Sequence, residues 1–255
     1  MIDTHAHLYE ESFDADRVEM IQRAKDAGVE KVILPNVDSE SLQRLLELER
    51  EYPDYCYATI GLHPTSVKEN FEEELRIVEQ ELLRREYIGI GEIGIDLYWD
   101  KTFLNEQILV FQKQLEWSLQ YKIPVIIHVR DSFNETMEAM KPFYGKGLTG
   151  VFHSFTGGVK EAEDIISYGG FRLGINGIVT FKNSTLKDIL RNIDIKHIVL
   201  ETDAPYLTPV PYRGKRNESS YVKYVCDCLS QVYGVSEEAL DKITTQNALS
   251  IFKKL

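Results

Sequence analysis

Six histidines and a few carboxylates are the groups in this 255-residue chain best suited to chemistry. His5 and His7 stand one residue apart in "MIDTHAHLYE", with Asp3 two positions ahead of the first. Alternate residues of a strand share a face, so this spacing predicts Asp3, His5 and His7 on one side and Thr4 and Ala6 on the other. Taken alone, the pair reads either as metal ligands or as hydrogen-bonded residues near a chain end. Glu92 closes the apolar run "IGIGEIG", where an unpaired carboxylate is costly to desolvate. A cation would satisfy it, as would a neighbouring Lys or Arg, and the flanking glycines are read as leaving open space. His128 follows apolar residues in "VIIHVRD", and His153 does so in "GVFHSF". Asp203 ends "HIVLETDAP", two residues after Glu201, and His63 sits in "GLHP".

Imidazoles with carboxylates and no thiolates suit Zn, Mn, Fe or Mg rather than a closed structural zinc site. His5, His7, Glu92, His128, His153 and Asp203 exceed what one four-coordinate ion takes, so two divalent ions sharing a carboxylate are expected. Ions about 3.5–4 Å apart stabilise both the attacking and the leaving oxygen of a displacement. The expected chemistry is hydrolysis.

These residues lie far apart in sequence, so the fold must gather them. Eight short apolar runs, "MIDTHAH", "KVILPNV", "CYATIGLHP", "YIGIGEIGID", "IPVIIHVR", "LTGVFHSF", "FRLGINGIV" and "HIVLETDAP", alternate with longer stretches of helical period. The pattern predicts one (β/α)8 barrel over residues 1–255, with "VSEEALDKITTQNALSIFKKL" as a C-terminal helical extension. An open doubly wound sheet is the competing architecture, but no Gly-rich phosphate loop follows the first strand. Five of the six histidines fall near predicted strand ends, and His197 falls at a strand start. Strands of a barrel run the same way, so those ends converge on one face. One helix is expected to begin on an Asp cap in "DADRVEMIQRAKDAG", and the next on Ser39 or Ser41.

A formal net charge of −12 argues against broad nonspecific duplex binding, which depends on Lys and Arg at phosphates. It leaves room for a local site where bound cations dominate the charge. No apolar run is long enough to span a bilayer. The start of the chain shows no basic segment followed by an apolar one, so a cytoplasmic location is expected, with no membrane and no obligate protein partner. Three cysteines are too few for a disulfide framework, and Cys226 and Cys228 are read as reduced, packed residues.

The set of segments "IDTHAHL", "GLHP", "GEIGID" with "YWD", "HVRD", "HSFTGG", "INGIVTFKN", "LETDAPYL" and "PYRGKRNE" resembles the TatD family of metal-dependent deoxyribonucleases, amidohydrolase-like barrels. The resemblance implies that His5, His7, Glu92 and Asp203 hold one metal, and that Glu92, His128 and His153 serve the second. Mg, Mn and Zn are the candidate ions, and Glu92 is the bridge. It further implies that a metal-activated water attacks a DNA phosphodiester, with Asp203 also as general base, on short or single-stranded 3′ ends. His63 is placed to touch the phosphate or the leaving group, or else to pack in the barrel mouth. Arg130 would neutralise a phosphate oxygen or pair with Asp96. Arg213, Lys215 and Arg216 in "PYRGKRNE" form a basic cluster, read as phosphate contacts or as a solvated loop. Asp3, Asp96 and Glu201 are candidates to orient ligands.

Two positions depart from the family pattern. "RNESS" lacks the usual Pro after "RNE", which is expected to loosen the start of helix eight. Leu97 stands where Tyr is common, leaving Tyr98 and Trp99 as candidates for base stacking. Two other readings compete: an amidohydrolase or esterase acting on a small molecule or aminoacylated RNA, and a non-catalytic binding barrel. A carboxylate at 92, in place of a modified lysine, favours the nuclease branch. Retention of every ligand type argues against lost catalysis.

Overall fold

A computed structural model describes all 255 residues. Eight parallel strands alternate with helices: β1 (Ile2–Asp3), β2 (Lys31–Leu34), β3 (Cys56–Ala58), β4 (Ile90–Asp96), β5 (Val125–Arg130), β6 (Gly150–Phe152), β7 (Phe171–Ile175) and β8 (Ile198–Leu200). The helices are α1 (Arg17–Asp26), α2 (Ser39–Glu51), α3 (Phe71–Arg84), α4 (Leu104–Tyr121), α5 (Phe133–Met140), α6 (Val159–Tyr168), α7 (Leu186–Leu190), α8 (Val222–Tyr233) and α9 (Glu237–Ile251). The apolar runs become strands because helices cover them, and buried parallel strands take near-continuous Val, Ile and Leu.

Pairing runs β1-β2-β3 and β4-β5-β6-β7-β8. Two seams join these sheets into a ring. At one, Ile60 pairs with Ile90, with Gly91 N donating to Ile60 O at 2.9 Å. At the other, Ala6 pairs with Ala204, and Asp203 N donates to His5 O at 2.8 Å. The architecture is the expected (β/α)8 barrel.

The large apolar core lies between strands and helices. A smaller cluster gathers Ile2, Ile33, Ile126, Val151 and Val199 with Ala248, Ile251 and Phe252. The C-terminal helix α9 thus packs against strand-start residues, at the end opposite the histidines. No helix is long and apolar enough to cross a membrane. Cys56, Cys226 and Cys228 are free and buried.

Local chemistry differs from expectation at three points. Asp38, rather than Ser39 or Ser41, caps α2, its carboxylate accepting from Ser41 N. Asp16 precedes α1 without capping it, because its carboxylate binds Arg23 and Arg216. The "RNESS" segment is tied down rather than loosened: Ser219 Oγ donates to Asp3 Oδ2 at 2.6 Å, Ser220 donates to Glu218, and Arg23 forks onto Glu218.

Candidate metal centre

His5, His7, His153 and Asp203 follow the ends of β1, β6 and β8, Glu92 and His128 lie within β4 and β5, and two of these placements depend on a break in regular pairing. Strand β1 stops at Asp3. Beyond it Ala6 and Leu8 pack into the large core, while His5 and His7 face the carboxylates. Asp3, against expectation, does not share their direction. Its carboxylate takes Thr202 N (2.9 Å), Thr202 Oγ1 (2.7 Å) and Ser219 Oγ, and the only part of His5 it meets is the backbone amide. Complete burial pushes the Asp3 carboxyl up to about 7.

On β4 the register slips: Ile90 pairs with Val125, and Ile93 with Ile127, so one extra residue is accommodated beside Glu92. Such irregularities re-aim a side chain. The neighbouring glycines serve close approach rather than open space. A Cβ on Gly91 would lie 2.7 Å from Ile126 Cβ, and one on Gly94 would overlap the His128 carbonyl. Asp203 adopts a left-handed backbone (φ 57°), uncommon outside glycine and typical of constrained sites.

Glu92 is the hub. Its Oε2 lies 3.1 Å from His5 Nε2 and 3.6 Å from His7 Nε2. Asp203 Oδ1 approaches the same two nitrogens at 3.6 and 3.7 Å. Oε1 lies 2.8 Å from both His128 Nδ1 and His153 Nε2, and 3.2 Å from His63 Nε2. One carboxylate therefore divides the imidazoles into two sets.

The hydrogen bonds behind the ring assign the protons. Tyr9 Oη donates to Pro35 O (2.6 Å) and so accepts from His7 Nδ1 (2.8 Å), which leaves His7 Nε2 a bare lone pair. Asp96 Oδ2 accepts from His128 Nε2 (2.9 Å), which turns Nδ1 toward Glu92 Oε1 (2.8 Å). His63 is the reverse case. Its Nδ1 accepts the Thr65 backbone N–H at 3.1 Å, so the neutral ring carries its proton on Nε2 and offers Glu92 a donor rather than a lone pair. Glu201 packs behind His153, its Oε1 3.7 Å from Nδ1 and accepting from Ser154 N at 2.6 Å.

Burial and mutual charge set the protonation of the cluster. Burial lowers His5 to about 4 and His7 to about 3. Burial raises Asp203 to about 8, with the Glu92 charge adding to it. Burial also opposes charge on Glu92, but the surrounding imidazoles outweigh it and hold the carboxylate well below its usual range. His153 shows the converse: burial opposes its charge, but Glu92 keeps it protonated well above the ordinary histidine range.

The donor set fits divalent metals. His5 Nε2 and His7 Nε2 approach to 3.2 Å, as do His128 Nδ1 and His153 Nε2, so ring nitrogens able to ligate a cation once deprotonated converge beside buried carboxylates. The side chains of His5, His7 and Asp203 come together as one candidate ligand group, and those of His5, Glu92 and His153 as another. His63 joins Glu92 and His128 by distance, but its tautomer excludes it as a neutral ligand through Nε2.

The centre lies in a cleft of about 620 Å³ at the carboxyl ends of the strands. Arg130 and Trp99 line it, as does Tyr206, which the sequence reading did not select. Tyr9 and Thr65 were also missed, although both stand two residues past a histidine. Arg216 is corrected: its guanidinium is bound to Asp16 at 2.7 and 2.8 Å and to Ser12 O. Arg213 stacks on Phe181, 3.7 Å from the ring centroid. Arg130 stacks on Tyr98, and Asp96 is engaged with His128 instead.

A parallel barrel with buried imidazoles and carboxylates at its strand ends defines a metal-dependent hydrolase. The profile of the family described as TatD related DNase matches residues 2–253, and the chain belongs to that family. It is 37% identical over 254 residues to the metal-dependent hydrolase YabD of Bacillus subtilis, covering 99% of each chain. It is 29% identical over 259 residues to a protein of Pectobacterium parmentieri named 3′-5′ ssDNA/RNA exonuclease TatD, again covering 99% of each. Among solved structures, the TatD homologue YjjV of Escherichia coli superposes with a TM-score of 0.93 at 29% identity, covering 100% of this chain and 98% of that one. The family acts on ester bonds.

Proposed function

We propose that the chain binds two divalent cations, Mg, Mn or Zn, and hydrolyses DNA phosphodiesters, removing nucleotides from the 3′ end of single strands. One ion is assigned to His5, His7, Asp203 and Glu92 Oε2, the other to Glu92 Oε1, His128 and His153. The observation that carries this reading is the division of imidazoles between the two oxygens of Glu92. Two such cations, when bound, would supply a water of lowered pKa and charge stabilisation for the attacking and leaving oxygens.

The protein's own groups supply the rest. The Asp203 carboxylate is the acceptor for the nucleophile's proton, at the rim where its side chain remains 12% exposed. His63 Nε2–H, locked by Thr65, donates toward a phosphate or leaving oxygen. Asp96 and Tyr9 hold His128 and His7 in the tautomers a metal needs. The name of the Pectobacterium relative supports a nucleic acid substrate and the polarity.

The test is hydrolysis of end-labelled single-stranded DNA by metal-stripped protein given back Mn, beside a duplex and a phosphate-free ester. Stepwise shortening from the 3′ end, absent without metal, is expected. Turnover of the ester with intact DNA would overturn the reading.

A further inference from the structure

The loop after β4 presents two aromatic side chains to solvent beside the metal centre. Tyr98 is 53% exposed and Trp99 is 69% exposed, with ring centroids 4.9 Å apart, edge to face. Arg130, paired in register with Asp96 on the adjacent strand, lays its guanidinium 3.9 Å from the Tyr98 centroid and 5.3 Å from that of Trp99. Of the other arginines, Arg17 is engaged with Asp14, Arg23 with Glu218 and Arg216 with Asp16, while Arg213 is stacked on Phe181 in a different loop. The Arg130 guanidinium makes no hydrogen bond or ion pair, so its N–H donors remain free at the cleft wall.

The loop is also fixed to the centre. Asp96 Oδ1 accepts from Tyr98 N (2.9 Å) and Trp99 N (3.4 Å), while Oδ2 holds His128. The aromatic pair is therefore positioned by the same carboxylate that orients a ligand imidazole. A fixed guanidinium beside an open aromatic face matches a nucleotide: the ring stacks a base, and the N–H fork takes a phosphate. A small ester or amide substrate would use neither.

We propose that Trp99, with Tyr98 beneath Arg130, forms a subsite that stacks the base of the nucleotide next to the scissile phosphodiester, with Arg130 holding that nucleotide's phosphate. The subsite rests on the nuclease reading for its position in the reaction, but its binding is testable without turnover. Thymidine 5′-monophosphate and 2-deoxyribose 5-phosphate share a phosphate and a sugar and differ by the base. Calorimetric titration onto the Mn-loaded enzyme is expected to show the nucleotide binding about 5- to 100-fold more tightly, the range of a single base stack.

Trp99→Ala should abolish that difference, Trp99→Phe should restore most of it, and Arg130→Ala should weaken both ligands alike. Equal binding of the two ligands to the wild type, or a difference that survives Trp99→Ala, would overturn the subsite. If the nucleotide preference and its loss are seen but single-stranded DNA is not cleaved, the nuclease reading falls and the subsite stands.

Discussion

Glu92→Gln separates a bridging carboxylate from a merely buried one. The substitution conserves volume and leaves one oxygen in place, so the barrel keeps its packing. It removes the charge that five imidazole nitrogens approach, three at Oε1 within 3.2 Å and two at Oε2 within 3.6 Å. An amide offers one acceptor oxygen and one N–H2, so it can serve one cation at most and presents donors to the other. Removing one partner of a buried charge interaction costs about 3–5 kcal/mol. That is about 10²- to 10⁴-fold in affinity for the second ion.

The assay is metal content after equilibrium dialysis at fixed free Mn, with hydrolysis of labelled single-stranded DNA on the same samples. The wild type should hold two ions per chain and the variant one or fewer, with turnover down about 10³-fold or more at subsaturating metal. A variant retaining two ions and turnover within tenfold of wild type would refute the bridge, a threshold about 1.4 kcal/mol wide.

Three further outcomes follow from the surroundings of the centre. Tyr9→Phe removes the acceptor of His7 Nδ1–H and should weaken Mn binding about 10- to 100-fold in titration calorimetry with the fold intact; unchanged affinity would show that Tyr9 does not set the tautomer. Apparent metal affinity should rise with pH through about 8, because Asp203 keeps its proton up to about 8, His153 is held protonated well above the ordinary histidine range, and both must release a proton to bind a cation. Below that point each released proton costs about tenfold per pH unit, and affinity flat between pH 6 and 8 would contradict the assignment. Arg216→Ala breaks a loop strap to Asp16 and should lower Tm by at most about 4 °C. It should leave KM for DNA unchanged, whereas a KM increase at constant Tm would return Arg216 to the phosphate site.

Barrel topology and the gathering of these imidazoles and carboxylates were readable because both are written as local chemistry. Apolar runs that lead into His, Glu or Asp mark buried strands, and a parallel ring brings those residues to one side of the barrel. The unreadable parts depend on backbone register or on distant partners. Period-two alternation from Ile2 places Asp3 with His5 and His7, but regular pairing ends at Asp3, and the carboxylate goes to Thr202 and Ser219. The glycines around Glu92 looked like space and instead admit the backbone of β5. Arg216 looked free because its partner Asp16 lies 200 residues away, and "RNESS" looked loose because Ser219 is anchored by Asp3 across 216 positions. The His63 tautomer rests on one backbone N–H from Thr65, which spacing alone does not reveal.

An anomalous difference map from Mn-soaked crystals measures the central claim most directly. Two peaks are predicted about 3.5–4 Å apart, one on either side of the Glu92 carboxylate. The first should lie among His5, His7 and Asp203, and the second against His128 Nδ1 and His153 Nε2, with His63 outside both coordination spheres. A single peak, or an ion ligated by His63 with Glu92 unbound, would contradict the account.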